Sequence, residues 1–482
     1  MATEEHKLVT QRIGLLGAVG LLVGTAVGMS IFVVPTQMAA SAGPSVVPAV
    51  LLSIVPMTLG VLLLLQLGGA IPVAGGIYVY GSRLVGPFWG LVSVTVPVLA
   101  VWSYLLFAAL GFSQYLNGIV GGAVPQVAAV WGLLGGFLVL NYFGIRMVTK
   151  VQLAAVGVLI LGMLTFIVGG LLAFDPANVT PVFPDTLFAE GLAPFFLAVV
   201  LLYIPFQGFG MIIEIGEELE NPVKNIPRVL AVGMGIVSVL TIGVIVTLVG
   251  AVPWQATVDP ATGQAYAAGL AAVAGDFLPT PAVLFIAIAA LVAAATTVNT
   301  LYTSYSRTVK RAARDHVVPG FLAEVHESHD TPYRAVLALG IPPILVAPLV
   351  PLVDTTLLAH VDILDWLVVV VVSGIFVAFM LGGVALWNLP KTFPERYEHS
   401  FYRLPMPVLK VVAVGNVVVS AVFTLLVAAS APSALGVVAV TFALTYVAYR
   451  LRVRSYAKRG IDLKVRMARL HDNEELSPSA DD

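Results

Sequence analysis

The chain of 482 residues is 59% hydrophobic and only 10% charged, whereas soluble domains usually carry about 25% charged residues, so a water-soluble fold of this length is excluded. The net charge of −2 gives no indication of a nucleic-acid partner. The absence of cysteine excludes disulfides, thiolate metal sites and cysteine nucleophiles.

Twelve apolar segments follow one another along the chain, each near the roughly 20 residues that a helix needs to cross about 30 Å of hydrocarbon. Because each segment must satisfy its own backbone hydrogen bonds in lipid, we predict a helix for all of them. The first is predicted to be a retained membrane helix, since no small-residue cleavage site of a signal peptide follows it. We call these segments spans 1 to 12; they lie near 13–40, 45–70, 86–117, 125–142, 151–174, 190–215, 229–251, 280–306, 334–352, 363–388, 407–428 and 431–449.

Basic residues test this arrangement. With twelve spans, all 24 Lys and Arg residues fall at the two chain ends or in the loops that follow even-numbered spans, while the opposite loops hold only acidic residues. The positive-inside rule then predicts a multi-pass protein of the cell membrane with both termini in the cytoplasm. Residues 1–12 form the predicted cytoplasmic N-terminus, and residues 450–482 form a polar cytoplasmic tail.

Glycine and proline interrupt spans 1 and 6 near their middles. Proline removes a backbone donor, and glycine tolerates the resulting dihedral angles, so we predict unwound segments that free backbone N–H and C=O groups at membrane depth. Half-helix N-termini attract a carboxylate and free carbonyls attract an ammonium, which together suit an amino acid; the alternative is that these residues only help the helices to pack. The residues concerned are Gly24, Gly28, Ser30 and Pro35 in span 1, and Pro205, Gln207, Gly208 and Gly210 in span 6.

Four stretches in chain order carry a family resemblance. They are Gly28-Met29-Ser30 with Phe32 and Pro35, then Pro72-Val73-Ala74-Gly75-Gly76-Ile77-Tyr78, then Glu217-Glu218-Leu219-Glu220-Asn221-Pro222 with Pro227, and finally Ser306-Arg307 through Asp315 to Pro319. The chain resembles the amino acid–polyamine–organocation superfamily of permeases over nearly its whole length. Two features depart from that pattern: Ser30 replaces a glycine, and span 5 lacks the lysine that some proton-coupled relatives carry, near Leu159 here.

The resemblance implies an all-α integral membrane protein with an inverted five-plus-five repeat of the leucine-transporter type and two extra helices. The implied transport core covers 13–388, with repeats at about 13–174 and 190–388, and spans 11 and 12 occupy 389–449. A substrate carboxylate would meet the N–H groups of Met29, Ser30 and Ile31, and the ammonium would meet carbonyls near Ala26, Ile204 and Gln207. The full implied substrate site comprises Ala26, Gly28, Met29, Ser30, Ile31, Ile204, Phe206, Gln207, Gly208, Phe209, Gly210 and Leu301, with Phe206 and Phe209 at the place of an aromatic gate.

Three polar groups inside the spans are candidates for coupling. Glu214 lies one turn beyond Gly210, and a carboxylate at that depth is costly unless it faces water or a partner. It is either a proton-coupling or cation-binding group, or a residue of a wet cytoplasmic vestibule beside Glu217 and Glu218. In sodium-coupled relatives of this fold, hydroxyls at the place of Thr296 and Thr297 bind the ion; the alternative is that they bond their own backbone carbonyls.

Three residues of span 3 have similar alternatives. Tyr104, Gln114 and Asn117 either face the transport pathway or make hydrogen bonds between helices.

The inferred pocket is mostly apolar, so the sequence predicts a secondary-active transporter of neutral or hydrophobic amino acids, without a cofactor. A transporter or exchanger of cationic amino acids or polyamines is the alternative, with Glu214 in the substrate site. A sensor or channel is a further alternative of another class. An enzyme is not expected, because the spans hold no cysteine, no paired histidines and no second acid beside Glu214.

Overall fold

The structure is a computed structural model. It describes residues 13–143, 148–189, 191–215, 219–326, 329, 331–351, 363–400 and 402–468. Residues 1–12, Arg146, Glu217, Glu218 and the end of the tail from 469 therefore lie outside the described residues. In chain order the α-helices are α1 Leu15–Val27, α2 Ser30–Ala42, α3 Val46–Ala70, α4 Gly76–Tyr80, α5 Pro87–Val120, α6 Gln126–Phe143, α7 Val148–Leu172, α8 Asp185–Ala189, α9 Ala193–Leu201, α10 Met211–Glu214, α11 Pro222–Ala251, α12 Gly269–Ala274, α13 Thr280–Arg314, α14 Tyr333–Val346, α15 Ile363–Thr392, α16 Pro394–Glu398, α17 Met406–Ser430, α18 Pro432–Ala457 and α19 Leu463–Ala468.

The chain is an all-helical membrane protein, as predicted. Its described part contains ten apolar helical stretches long enough to cross a membrane, and a shorter apolar helix at Tyr333–Leu349. The first stretch, Leu15–Ala70, has 56 residues. At 1.5 Å per residue it would be far longer than the roughly 30 Å of hydrocarbon, so it holds two passes. The described helices thus agree with the predicted spans to within a few residues at most ends.

The outermost helices show why this chain needs lipid. On α17 the exposed apolar residues recur every three or four positions, which places them on one face of the helix. Such a continuous apolar stripe is stable against acyl chains, and it would be costly in water. The residues of this stripe are Val411, Val414, Val418, Val422 and Leu425.

The interior is built from the longest helices. α5 packs against both α13 and α15, and α1 packs against α7, α11 and α13. Because α1 and α13 are in contact at the centre, any irregularity in α1 faces other helices and not lipid.

Two interruptions lie in this interior. α1 ends at Val27 and α2 begins at Ser30. Between α9 and α10 the chain adopts a 3-10 helix over Ile204–Gly210, which packs against α1. Their depth in the membrane and the inverted symmetry of two repeats stay predictions.

Candidate functional site

Gly28 and Met29 form the break between α1 and α2. Gly28 has a φ of +44°, a left-handed conformation that glycine adopts without strain. The Met29 N–H donates a hydrogen bond to Thr297 Oγ1 at 3.2 Å. One of the three N–H groups predicted to meet a carboxylate is therefore bonded inside the protein. Ser30 and Ile31 occupy the first turn of α2, where backbone N–H groups have no partner within their own helix.

The second break lies directly against the first. Gly208 is so close to α1 that a Cβ at this position would overlap the backbone N and Cα of Ala26. Only glycine allows this approach, in which main chain meets main chain. The structure thus brings together the two interruptions that the sequence singled out, and a small ligand at their junction could contact the backbones of both.

Thr296 and Thr297 of α13 face α1 beside this junction. Thr296 Oγ1 lies 2.9 Å from the carbonyl oxygen of Ala293 and 3.4 Å from that of Gly24, and Thr297 Oγ1 lies 2.9 Å from the Ala293 oxygen. The two contacts with Ala293 are the own-backbone bonds of one alternative, whereas the contact with Gly24 joins an α13 hydroxyl to an α1 carbonyl, as the sodium alternative expects; both stay predictions. Among the described residues no cluster of three or more His, Asp or Glu side chains could hold a metal ion.

The predicted apolar lining is buried, but its side chains point in different directions. The Met29 side chain packs against α5, where a Cβ on Gly111 would lie 2.7 Å from its methyl group. Phe209 packs against Gly60 of α3 and against the ring of Phe379 on α15, with ring centres 5.6 Å apart. Phe209 therefore faces α3 and α15.

The other predicted site residues fall into two groups. Ile31, Ile204, Phe206 and Leu301 are buried in the core. Gln207 and Gly210 instead line a cavity on the side of the break toward α3, α5 and α15. The site residues are thus gathered around the junction of the breaks, with a cavity next to it that the sequence did not predict.

Comparison with known proteins decides the family. The sequence model of the amino acid permease family matches residues 13–449. The chain belongs to the amino acid permease family. It is 25% identical to the branched-chain amino acid permease BcaP of Bacillus subtilis over 82% of this chain and 84% of the relative. It is also 26% identical to the methylthioribose transporter of the same organism over the same shares, and 25% identical to cationic amino acid transporter 5 of Arabidopsis thaliana over 67% of this chain and 58% of that relative.

In this permease the carboxylate of Glu214 is fully buried and has two protein partners. Its Oε1 accepts a hydrogen bond from the Ile77 backbone N–H at 3.2 Å, and its Oε2 accepts one from the Thr308 hydroxyl. The wet vestibule beside Glu217 and Glu218 lies outside the described residues, so both interpretations of Glu214 stay predictions. Glu214 joins three elements, namely α10, the first turn of α4 and α13.

A second buried cluster joins α4 and the segment after it to the end of α13. Arg83 Nη2 lies 2.6 Å from Asp315 Oδ2, and the Tyr78 hydroxyl donates to the same oxygen at 2.5 Å. Burial acts to lower the pKa of the Arg83 guanidinium, but the Asp315 carboxylate and the Tyr78 hydroxyl beside it together raise that pKa above its usual value. In the sequence, Arg83 indicates only membrane topology, as a basic residue between spans 2 and 3.

Sequence reasoning also missed a buried amide network. Asn141 Nδ2 donates to Asn299 Oδ1 at 2.9 Å, and Asn299 Nδ2 donates to Gln152 Oε1 at 3.1 Å, which links α6, α13 and α7. Its only sequence signal is the presence of amide residues inside apolar spans.

Of the polar residues of span 3, Asn117 has a local role. Its amide bonds both the N–H and the C=O of Val124, at 3.2 and 2.9 Å, and so closes the turn after α5. This is neither a pathway contact nor a bond between membrane helices. Tyr104 is close to the α1 break, since a Cβ on Gly28 would lie 3.5 Å from its hydroxyl.

Proposed function

We propose that this permease is a secondary-active transporter of neutral amino acids that works by alternating access around the junction of the two breaks. The observation that carries the proposal is the backbone contact between Gly208 and Ala26. Backbone groups at such a junction recognise the α-amino and α-carboxylate groups that all amino acids share, so family membership and geometry point to the same substrate class.

The carboxylate would be held at the start of α2. The N–H groups of Ser30 and Ile31 point out of that helix's first turn, where the helix dipole favours negative charge. The ammonium would be held by carbonyl groups of Ala26, Ile204 and Gln207. In this arrangement the breaks bind the common part of the substrate, and side-chain selection is left to the surrounding walls.

The surroundings of the junction favour a neutral substrate. Met29, Ile204, Phe206 and Leu301 are apolar and buried near the junction. The carboxylate of Glu214 is engaged by Thr308 and by the α4 backbone, so a cationic side chain would have to displace those bonds. Transport of cationic amino acids or polyamines is the second candidate, because Glu214 is a buried acid one turn beyond the break.

The proposal also covers the coupling of transport to an ion and the arrangement of the chain in the membrane. Protonation of Glu214 and sodium binding at Thr296 and Thr297 are the two candidate coupling devices. The core is proposed to comprise 13–388 as inverted repeats of about 13–174 and 190–388, with 389–449 added to it. Segregation of the basic residues supports a cell-membrane location with residues 1–12 and 450–482 in the cytoplasm.

The test is counterflow. Purified permease in liposomes preloaded with a mixture of the common amino acids is offered each labelled amino acid in turn, without an ion gradient and then with sodium or a proton gradient. Trapping of neutral labels is the expected result. Trapping of basic labels alone would favour the second candidate, flux without saturation would indicate a channel, and tight binding without flux would indicate a sensor.

A further inference from the structure

A cavity lies beside the break in the sixth span. Its volume is about 50 Å³, and it lies between α3, the segment after it, α5, α13 and α15. It opens next to the junction, because Gln207 on its wall is the neighbour of Gly208, whose backbone touches α1. The wall residues are Leu63, Leu64, Ile77, Tyr80, Gly81, Ser93, Pro97, Gln207, Gly210, Tyr305, Ile375, Ala378, Phe379, Leu381 and Gly382.

The Gln207 side chain is the exceptional feature of this cavity. Both its Oε1 and its Nε2 are buried, and neither has a hydrogen-bond partner within the described part of the chain. An unpaired buried amide is costly, because it has lost its bonds to water without replacement. A side chain of this kind is stable when a molecule in the cavity supplies one donor and one acceptor.

The rest of the wall limits what that molecule can be. No Lys, Arg, Asp or Glu is among the wall residues, and the nearby carboxylate of Glu214 is engaged by Ile77 and Thr308, so an ionised group in the cavity has no counter-charge in direct contact. The hydroxyls of Ser93 and Tyr80 already donate to the carbonyls of Trp89 and Ile71. Most of the remaining wall is aliphatic or aromatic and suits an apolar body.

We propose that this cavity receives the substrate side chain and that Gln207 is a specificity-determining residue, which selects uncharged side chains bearing a carboxamide or hydroxyl at the end of an apolar stem. The inference rests on the proposed function and narrows it. A substrate held by its α-groups at the junction has its side chain next to Gln207, because that residue belongs to the same break. A purely apolar side chain of equal size leaves the amide unpaired.

The experiment uses pairs of substrates that match in size. Counterflow of labelled leucine into liposomes is measured in the presence of an unlabelled competitor. Glutamine is compared with methionine, and asparagine with leucine, because the two members of each pair match in size. The wild-type permease is expected to favour the amide member of each pair by about tenfold, since one satisfied hydrogen bond in a dry site is worth about that factor. In Gln207→Met, which keeps the length and loses the amide, we expect the ratio to fall to about one while competition by methionine persists.

Two further variants make the result decisive. Gln207→Asn shortens the amide by one methylene and is expected to keep a preference for amide substrates, which also guards against a Met variant that fails to fold. Gln66→Met replaces a buried glutamine of α3 that is not a wall residue, whose Nε2 likewise has no partner in the described structure, and should keep the wild-type ratio.

The experiment distinguishes failure of the Gln207 inference from failure of the proposed function. If amino acids are trapped but the ratio is the same in wild type, Gln207→Met and Gln66→Met, the amide is satisfied by water and the inference is overturned while the proposed function stands. If no amino acid is trapped by the wild-type permease under any gradient, the proposed function itself fails.

Discussion

Replacing Asp315 by Asn tests whether the buried ion pair with Arg83 holds the 76–83 segment against α13. The two side chains are 0% and 2% exposed, and their charged atoms are 2.6 Å apart. In the variant the guanidinium stays charged and buried and loses the Asp315 carboxylate. Breaking a buried pair in this way typically costs about 3–5 kcal/mol of the free energy of unfolding. The loss of a carboxylate acceptor for Tyr78 adds to that cost.

The chain contains a matched control on its surface. Arg334 and Glu324 form a pair at 2.7 Å, but their side chains are 37% and 48% exposed. Glu324→Gln removes the same kind of interaction from a solvated site, where such pairs contribute about 0–1 kcal/mol. Comparing the two variants separates the effect of burial from the effect of losing a charge pair.

Equilibrium unfolding in mixed detergent micelles, followed by tryptophan fluorescence and circular dichroism, measures both costs. The double variant Arg83→Met with Asp315→Leu is expected to recover most of the lost free energy of unfolding, because it removes both charges. A cost for Asp315→Asn no larger than that of Glu324→Gln would refute the burial argument, and so would a double variant less stable than either single one.

Three other substitutions have clear expected outcomes. Gly208→Ala drives a Cβ into the α1 backbone, so counterflow should be abolished and stability should fall by about 1–3 kcal/mol; unchanged transport would show that the close contact is dispensable. Glu214→Gln keeps a neutral acceptor, so we expect counterflow to persist while a proton gradient no longer drives accumulation; accumulation that still follows the gradient would remove Glu214 from coupling. Asn299→Leu removes the donor to Gln152 Oε1, while Asn141 Nδ2 keeps its bond to the Phe137 carbonyl, so the free energy of unfolding should fall by about 1–3 kcal/mol in the same assay; no loss would mean that water replaces the bond.

Much of the helical architecture could be predicted because its causes are local. An apolar run must become a helix in lipid, and Lys and Arg must stay on one side, so both rules act on neighbouring residues. The interruptions at 28–29 and 204–210 were also predictable, since glycine and proline act on the backbone where they stand.

The partners of the buried polar groups could not be predicted in the same way. Arg83 and Asp315 are far apart in the chain, as are Asn141 and Asn299, and each contact exists only because three helices pack at one place. Glu214 combines a feature with a local cause and contacts that depend on tertiary packing. Its burial follows from its position in an apolar span, but Thr308 and Ile77 as its partners depend on tertiary packing.

Two buried sets of polar contacts connect the 76–83 segment to α13, and they limit how the segment can move. Glu214 connects Ile77 to Thr308, while Tyr78 and Arg83 both bind Asp315. Thr308 and Asp315 are seven residues apart, about two helical turns or roughly 10 Å, and so lie on nearly the same side of the helix axis. Loss of one contact leaves the segment attached to α13 by the other, so complete separation requires that both break.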